Sequence, residues 1–328
     1  MPGFLTADQG IAAAKSETTY GTDAFSGGAP SSADVLAMSA LDIVQVQEQI
    51  EGDRLTATIA GECHAIHLSH IDLSWSMPLI GSSAPGELPP GDPWLRAAGY
   101  AATVVADTSV TYTPTIEQQT SLTALLYERS VQDGSARRLM ARGVRTNATI
   151  TLTVGQEAMC EGAGQGLYDP YPAETSALPT LPTAYSGDQC GWVVNRLVLT
   201  VDSVVYPVEA MTLETRWTLE VIRAGAASGG GSASQILLVK PRAGARFGGS
   251  FTLVDGTAAL TAAINAWQTG AKLSLTAVLT KGARTITIAA AAIQLSAPAK
   301  TLPRFAVPWD AIRADGTSGV GHLTIAYT

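Results

Sequence analysis

The chain has 328 residues, of which 46% are hydrophobic and only 15% charged, with 32 glycines and a formal net charge of −8. That length allows a sizeable core and two domains. The acidic balance excludes a nucleic-acid binder that works by displacing counterions from phosphates, yet it suits a wall past which nucleic acid slides without sticking.

Polar surface comes largely from Thr, Ser and Gly. That composition suits an all-β protein that hides much of its surface in an assembly. Cys63, Cys160 and Cys190 are too few to be a disulfide framework and fit a reducing compartment. The N-terminal stretch lacks a cationic start followed by an apolar run, so no signal peptide is expected. No run of about 18 apolar residues occurs, so no transmembrane helix is expected.

Residues 1–34 read as an arm, either disordered or docked on a partner, with a short helix from Gly10 to Lys15. Deleting the arm is expected to leave the β-fold intact. A first β-rich unit spans 35–168. In it Val44 and Val46 alternate with polar groups, as do Leu55, Ala57 and Ile59. Ile66, Leu68, Ile71, Leu73 and Trp75 mark a longer strand. Within that strand, ECHAIHLSHID spaces His64, His67 and His70 three apart. On a helix they would share a face able to bind zinc or nickel, but on a strand His67 points away from the other two. The apolar alternation favours the strand.

Asp92 followed by Pro93 predicts a helix start with Asp92 as the cap, and Gly99 predicts its stop. Then come VTYTP (Val110 to Pro114) and strands in which Leu122, Ala124 and Leu126 alternate with Thr123 and Leu125. Ile150, Leu152 and Val154 alternate in the same way with threonines, the mark of strands with one buried face. Arg137, Arg138, Arg142 and Arg145 form a cationic patch too small for a nucleic-acid footprint, which is expected to pair with acids on a neighbouring subunit or strand. Gly162, Gly164 and Gly166 lack dinucleotide-loop spacing. Set two apart, they bare one strand face to a close neighbour. Asn147-Ala148-Thr149 is a glycosylation triplet that reads as strand sequence.

Four prolines in 169–191 mark a semi-rigid connector. A second β-rich unit spans 192–328, with a flexible loop at 224–234. It carries a helix from Thr257 to Trp267, spaced at Leu260, Ile264 and Trp267 and stopped by Gly270. The strands KLSLTAVLT and ARTITIAAAAIQL follow. GTSGVG near residue 318 is a loop and not a nucleophile elbow. The two units share an order of strands, a short helix and more strands, with poor residue identity. The expected fold is all-β with minor α: two sandwich- or barrel-like units, each with a short helix. No set of nucleophile, base and acid converges, so no catalytic role, cofactor or metal is expected.

KSETTYGT (Lys15 to Thr22), WLRAAG (Trp94 to Gly99), VTYTP, the SLTALLYER…DG…LMARG series and GAGQGLY occur in an order that resembles the major tail tube proteins of long-tailed bacteriophages, in the larger two-lobed version. The second lobe contributes GAKLSLTAVLT and ITIAAAAIQL. The resemblance implies a structural virion protein made in the host bacterial cytoplasm. Its strands join across subunits into a closed barrel, and its rings stack into a hollow conduit for DNA ejection. A ring of three copies is implied if both units line the bore, and six if one does. The partners implied are further copies of the chain, other tail proteins at the tube ends, a tape-measure protein and, transiently, DNA in the lumen. Inter-subunit contacts are expected at Thr18, Thr19, Tyr20 and Gly21 and at Arg137, Arg138 and Arg142. The arm and the loops at 82–92 and 224–234 are expected to join ring to ring. The alternatives are an adhesive or carbohydrate-binding β-sandwich, which 6% aromatic residues disfavour, and the tube of a phage-derived gene-transfer or secretion particle.

Overall fold

A computed structural model describes residues 10–51, 64–115, 120–129, 136–167, 175–176, 192–194, 197–201, 204–216, 219–223, 234–241, 246–254, 258–301, 304–311 and 323–328. The first half contains β1 (Ile11–Ser16), β2 (Val35–Leu36), β3 (Ala40–Glu51), β4 (His64–Pro78), α1 (Asp92–Ala97), β5 (Tyr100–Val105) and β6 (Ser109–Pro114). It continues with β7 (Leu122–Arg129), β8 (Ala136–Thr146), β9 (Thr149–Thr153), β10 (Met159–Leu167) and the short β11 (Thr175–Ser176). The second half contains β12 (Val198–Val201), β13 (Val204–Pro207), β14 (Ala210–Arg216), β15 (Leu219–Arg223), β16 (Ser234–Pro241) and β17 (Arg246–Val254). It ends with α2 (Ala258–Thr269), β18 (Leu273–Lys281), β19 (Arg284–Leu295), β20 (Ala299–Thr301), β21 (Arg304–Ala311) and β22 (Leu323–Tyr327). Among the described residues the chain is therefore all-β with two short helices. Among the described residues no helix is long and apolar enough to cross a membrane.

Two stretches of strand change partner partway along their length. The run from β8 to β9 pairs with β10 along one side; on the other side β7 takes its first half and β14 its second. The run breaks at Asn147 and Ala148. There the Thr215 hydroxyl accepts the Ala148 N–H at 2.7 Å, and the Asn147 side-chain oxygen accepts the Ala163 N–H at 2.8 Å. Asn147 thus does junction work instead of lying in a strand. β19 divides in the same way, pairing with β22 over Ile286 to Ala290 and with β21 over Ile293 to Leu295, while β18 runs along its other side.

One antiparallel path follows from these splits: β3–β4–β10–β9–β14–β17–β21–β19–β22–β6–β5. The path folds back on itself. Tyr100 of β5 meets Phe247 of β17 edge-on at 5.6 Å, and the tilted rings of Trp75 and Trp94 lie 4.7 Å apart. One apolar core takes side chains from both halves of the chain, from Ala14 to Tyr327. A smaller cluster of Ala13, Leu125 and Tyr127 sits on the opposite face of β7.

Several expectations need correction. Gly10 to Lys15 forms no helix, because Ile11 to Ser16 is strand β1, paired residue for residue with Tyr127 to Leu122. Alanine favours helix, but so short an isolated stretch cannot sustain nucleation, and burying Ala13 and Ala14 decides the outcome. β1 is part of the fold, so deleting residues 1–34 would strip a strand from the sheet. β7 is buried on both faces, Leu125 as fully as Leu122, because the N-terminal segment covers the second face. Among the described side chains of β3, Ile43 is buried, while Val44 is 44% exposed. Val154 lies in a turn beyond β9 and is exposed.

The helices also differ in detail from their expected form. Gly91 precedes α1 as its cap residue without a side-chain cap, and Asp92 is the first helical residue. Gly99 and Gly270 follow the two helices with φ of +87° and +65°, as a glycine stop requires. On α2 the buried face is Ala259, Leu260, Ala263 and Ala266, and Trp267 points outward. The alternating Leu55, Ala57 and Ile59, most of the 169–191 connector, the 224–233 loop and the GTSGVG segment lie outside the described residues, as do Cys63 and Cys190.

Candidate functional site

Tyr20 and Gly21 of the N-terminal motif and Arg138 and Arg142 of β8 lie on one outer face of the sheet, where a residue missed in the sequence joins them, whereas Arg137, opposite Glu128, lies on the other face. Glu17 follows β1 and is buried. Its carboxylate accepts the Gly21 N–H at 2.8 Å, the Gly143 N–H at 2.7 Å, the Ser121 hydroxyl at 2.5 Å and the Thr123 hydroxyl at 2.8 Å. The pairing of β7 with β8 slips between Leu122 and Ala124, opposite Arg142 and Gly143, and Gly143 has φ +61°. Such a bulge frees a backbone donor, which the buried carboxylate satisfies. Ionised acceptors make the stronger hydrogen bonds, so this acid ties the turn after β1 to β7 and β8.

The KSETTYGT motif gains a physical reading here. Glu17 is the tie, Gly21 (φ +73°) closes the turn, and the Tyr20 ring lies under the Arg145 guanidinium at 5.1 Å. Burial pulls the Arg145 pKa below its ordinary value, while Tyr20 and Glu17 act to raise it. A side chain at Gly21 would strike Leu167, and one at Gly143 would press on Leu167 and Tyr20. Thr18 and Thr19 are exposed; Tyr20 and Gly21 are half-buried. Arg137 lies 3.9 Å from Glu128 across the β7–β8 pair, and Arg138 hydrogen-bonds Tyr127. Part of the arginine patch thus pairs with a neighbouring strand of its own chain.

The signal for Glu17 was present but diffuse: an acid at a strand end before a Thr-Thr-Tyr-Gly turn, and a glycine breaking an alternating strand. Its partners lie up to 126 residues away in the chain, so no local pattern could join them.

The glycines of β10 do what their spacing implies. A Cβ at Gly162, Gly164 or Gly166 would strike the backbone oxygen of Asn147, Arg145 or Arg142 respectively. The bare strand therefore lets β8 and its junction cross closely. Beside it, the Trp75 indole donates to the Thr146 hydroxyl at 2.7 Å.

At the far side of this sheet, β3 pairs only with β4 among the described residues. Its twelve residues leave a long open edge, with Asp42 and Val44 exposed. His64 to Pro78 is a strand, as the apolar alternation implied. His70 is buried with Nε2 3.3 Å from Asp72, and the side chains of His64 and His67 lie outside the described residues. No group of three or more His, Cys, Asp or Glu among the described residues is arranged to hold a metal. Cys160 is buried, and burial raises its thiol pKa.

A second feature joins the arm to the 82–92 loop. Residues 14–16 and 32–37 face residues 80–93 across a cleft of about 750 Å³. Val35, Leu36, Ile80 and Leu88 supply apolar walls, and Lys15, Asp34, Asp92 and Arg96 supply charges. Two of the three segments expected to join ring to ring thus meet in one place.

No protein-family model and no curated protein sequence matches the chain.

Proposed function

We propose that the protein is a structural subunit that assembles into rings stacking into a hollow tube, of the tail-tube kind that the sequence motifs resemble. The observation that carries this reading is the open edge of β3. A long unpaired edge is a template for joining another chain, and soluble monomers blunt such edges with short strands, bulges or covering segments. β3 is at one end of the continuous ladder. The other end, β5, is also an edge; it carries no charged residue and exposes Val104 and Val105. Closing sheets around a ring removes such edges.

The motifs fit a wall better than a reaction centre. Glu17, Gly21 and Gly143 lock a turn, the β10 glycines admit a crossing strand, and α1 fills the core. The cleft between the arm and the 80–93 loop is the natural socket for the adjacent ring. The acidic chain would present DNA with a surface that does not hold it.

Negative-stain electron microscopy of the purified protein tests the reading. Rings with a central hole, or tubes built from them, are expected as concentration rises. A protein that stays monomeric at high concentration, with its β-fold intact by circular dichroism, overturns it.

A further inference from the structure

β3 and β5 are the two ends of the continuous ladder, and among the described residues each pairs with one strand only, β3 with β4 and β5 with β6. β7 and β8 approach β3 across the core, where Ile43 shares one apolar cluster with Leu122 and Val144. Both of those strands already have partners along each edge: β1 and β8 for β7, β7 and β10 for β8. They pack on the face of β3 and add no strand to its edge.

The side chains of the two edge strands match in their alternation. On β3, Leu41 and Ile43 pack into the core, while Asp42 and Val44 face solvent. On β5, Tyr100 and Ala102 pack into the core, while Thr103 and Val105 face solvent. Val104 follows Tyr100 and Ala102 in the alternation, yet it is 48% exposed. Val44 is 44% and Val105 51% exposed, so both strands hold valine in water. Their charges differ. β3 carries Asp42, Glu48 and Glu51 with no lysine or arginine, and β5 carries no charged residue. Two β3 strands laid edge to edge would gather six carboxylates at one seam, and like charges across adjacent strands are destabilising. Acids on an edge guard against such self-pairing. Two β5 strands laid edge to edge would close a dimer and leave both β3 edges open.

We propose that β5 of one copy of the chain adds as a strand to the edge of β3, over residues 40–46, in the next copy. The occupant is another copy because the uncharged edge that suits β3 is on this chain. In the joined sheet the core sides run on, with Leu41 and Ile43 beside Tyr100 and Ala102. On the solvent side Val44 meets Val105, an apolar cross-strand pair that takes both out of water. The contact is heterologous, so it repeats from copy to copy and closes into a ring, using both ends of the ladder. The inference rests on the ring reading and names the strands of its seam.

Charges placed at four exposed positions of the full chain test it, read by sedimentation velocity with circular dichroism as the fold control. One variant carries Thr103→Glu and Val105→Glu on β5, which sets acids against Asp42. Another carries Asp42→Lys and Val44→Lys on β3, which removes the valine pair. Each alone is expected to need about tenfold more protein, or higher still, for half-assembly. The chain with all four changes sets lysine against glutamate at every seam and is expected to recover most of the lost assembly. Should a variant unfold, amide hydrogen exchange of the wild type decides instead. Peptides covering 40–46 and 100–105 should gain protection together as the chain assembles. If wild type assembles and both variants assemble equally well, or neither strand gains protection, the seam is wrong while the ring reading stands. If both variants fail and the fourfold variant does not recover, the two strands do not meet, and the proposal falls. Protection gained by β5 alone would mean that β5 pairs with itself. Full protection of both edges already in the monomer would mean that the chain covers them itself, and either result overturns the proposal. A wild type that never associates overturns the ring reading itself, and the seam with it.

Discussion

The chain builds a helix, a glycine stop and a hairpin twice, and anchors them by different physics. In the first half α1 runs through Gly99 into β5–β6; in the second, α2 runs through Gly270 into β18–β19. The two hairpins flank the same strand: Tyr112 of β6 and Ile288 of β19 both stand opposite Ile325 of β22. α1 is held by large and polar groups. Trp94 and Leu95 are fully buried, and Asp92 accepts the Tyr112 hydroxyl at 2.7 Å and the Arg96 Nε–H at 2.8 Å. α2 lies on the core through small side chains, Ala259, Ala263 and Ala266 beside Leu260, and leaves its tryptophan in solvent. The same local grammar therefore gives the same connection, while the strength of attachment depends on what the helix brings to the core.

The sharpest break in this comparison is Trp94→Ala. Removing a fully buried indole that stacks on Trp75 is expected to cost about 3–5 kcal/mol, a loss seen for large aromatic truncations that leave a cavity. Denaturant unfolding would measure it. A loss under about 1 kcal/mol would mean that α1 is no better anchored than α2. Asp92→Asn comes next, at about 1.5–3 kcal/mol, the range for hydrogen bonds to a charged partner. In a double-mutant cycle with Tyr112→Phe the two losses should be non-additive, because Asp92→Asn weakens the bond that Tyr112→Phe removes.

The same contrast predicts alkaline sensitivity. Burial raises the pKa of Tyr100, Tyr112 and Tyr327 above the ordinary 10.0 and that of Cys160 above 9.0. The unfolded chain releases these protons near their ordinary values, whereas the folded chain retains them. Above that point the unfolded state binds fewer protons, so stability falls as pH rises. Below about pH 8 both states are protonated and these groups contribute no slope. Stability is expected to be level from pH 7 to about 8 and to drop beyond it, by up to about 1.4 kcal/mol per pH unit for each such group. Tyr327→Phe should flatten the drop. A substitution on α2, which has no titratable side chain, should leave it unchanged.

Much of this architecture was legible locally. β7, β9 and both glycine stops followed from alternation and punctuation, because those signals need only near neighbours. The failures share a cause. Gly10 to Lys15 read as helix because the deciding partner, β7, lies more than a hundred residues away. Leu125 read as solvent-facing because a segment from the other end of the unit covers it. Asp92 read as a cap because its real partner, Tyr112, belongs to a strand beyond the helix. For the candidate contact face, Tyr20 and the arginines were named from sequence. Glu17, which ties them to one place, was not, since its role exists only once β1, β7 and the Gly143 bulge are assembled.

The smallest effects test the weaker helix. Gly270 has φ +65°, but a Cβ there would meet only the Gln294 side-chain nitrogen at 3.5 Å. Space is available, so Gly270→Ala is expected to cost only the left-handed backbone penalty, about 1–2 kcal/mol. Trp267→Ala should change stability by less than about 0.5 kcal/mol, as for a surface site away from the core, even though the identical substitution in α1 is the most damaging of the set. If Trp267→Ala instead lowered stability as much as Trp94→Ala, the indole would have to be buried in the folded chain. If it left the monomer untouched but weakened self-association, α2 would be a subunit contact, and the loosely anchored helix would owe its exposed tryptophan to the assembly.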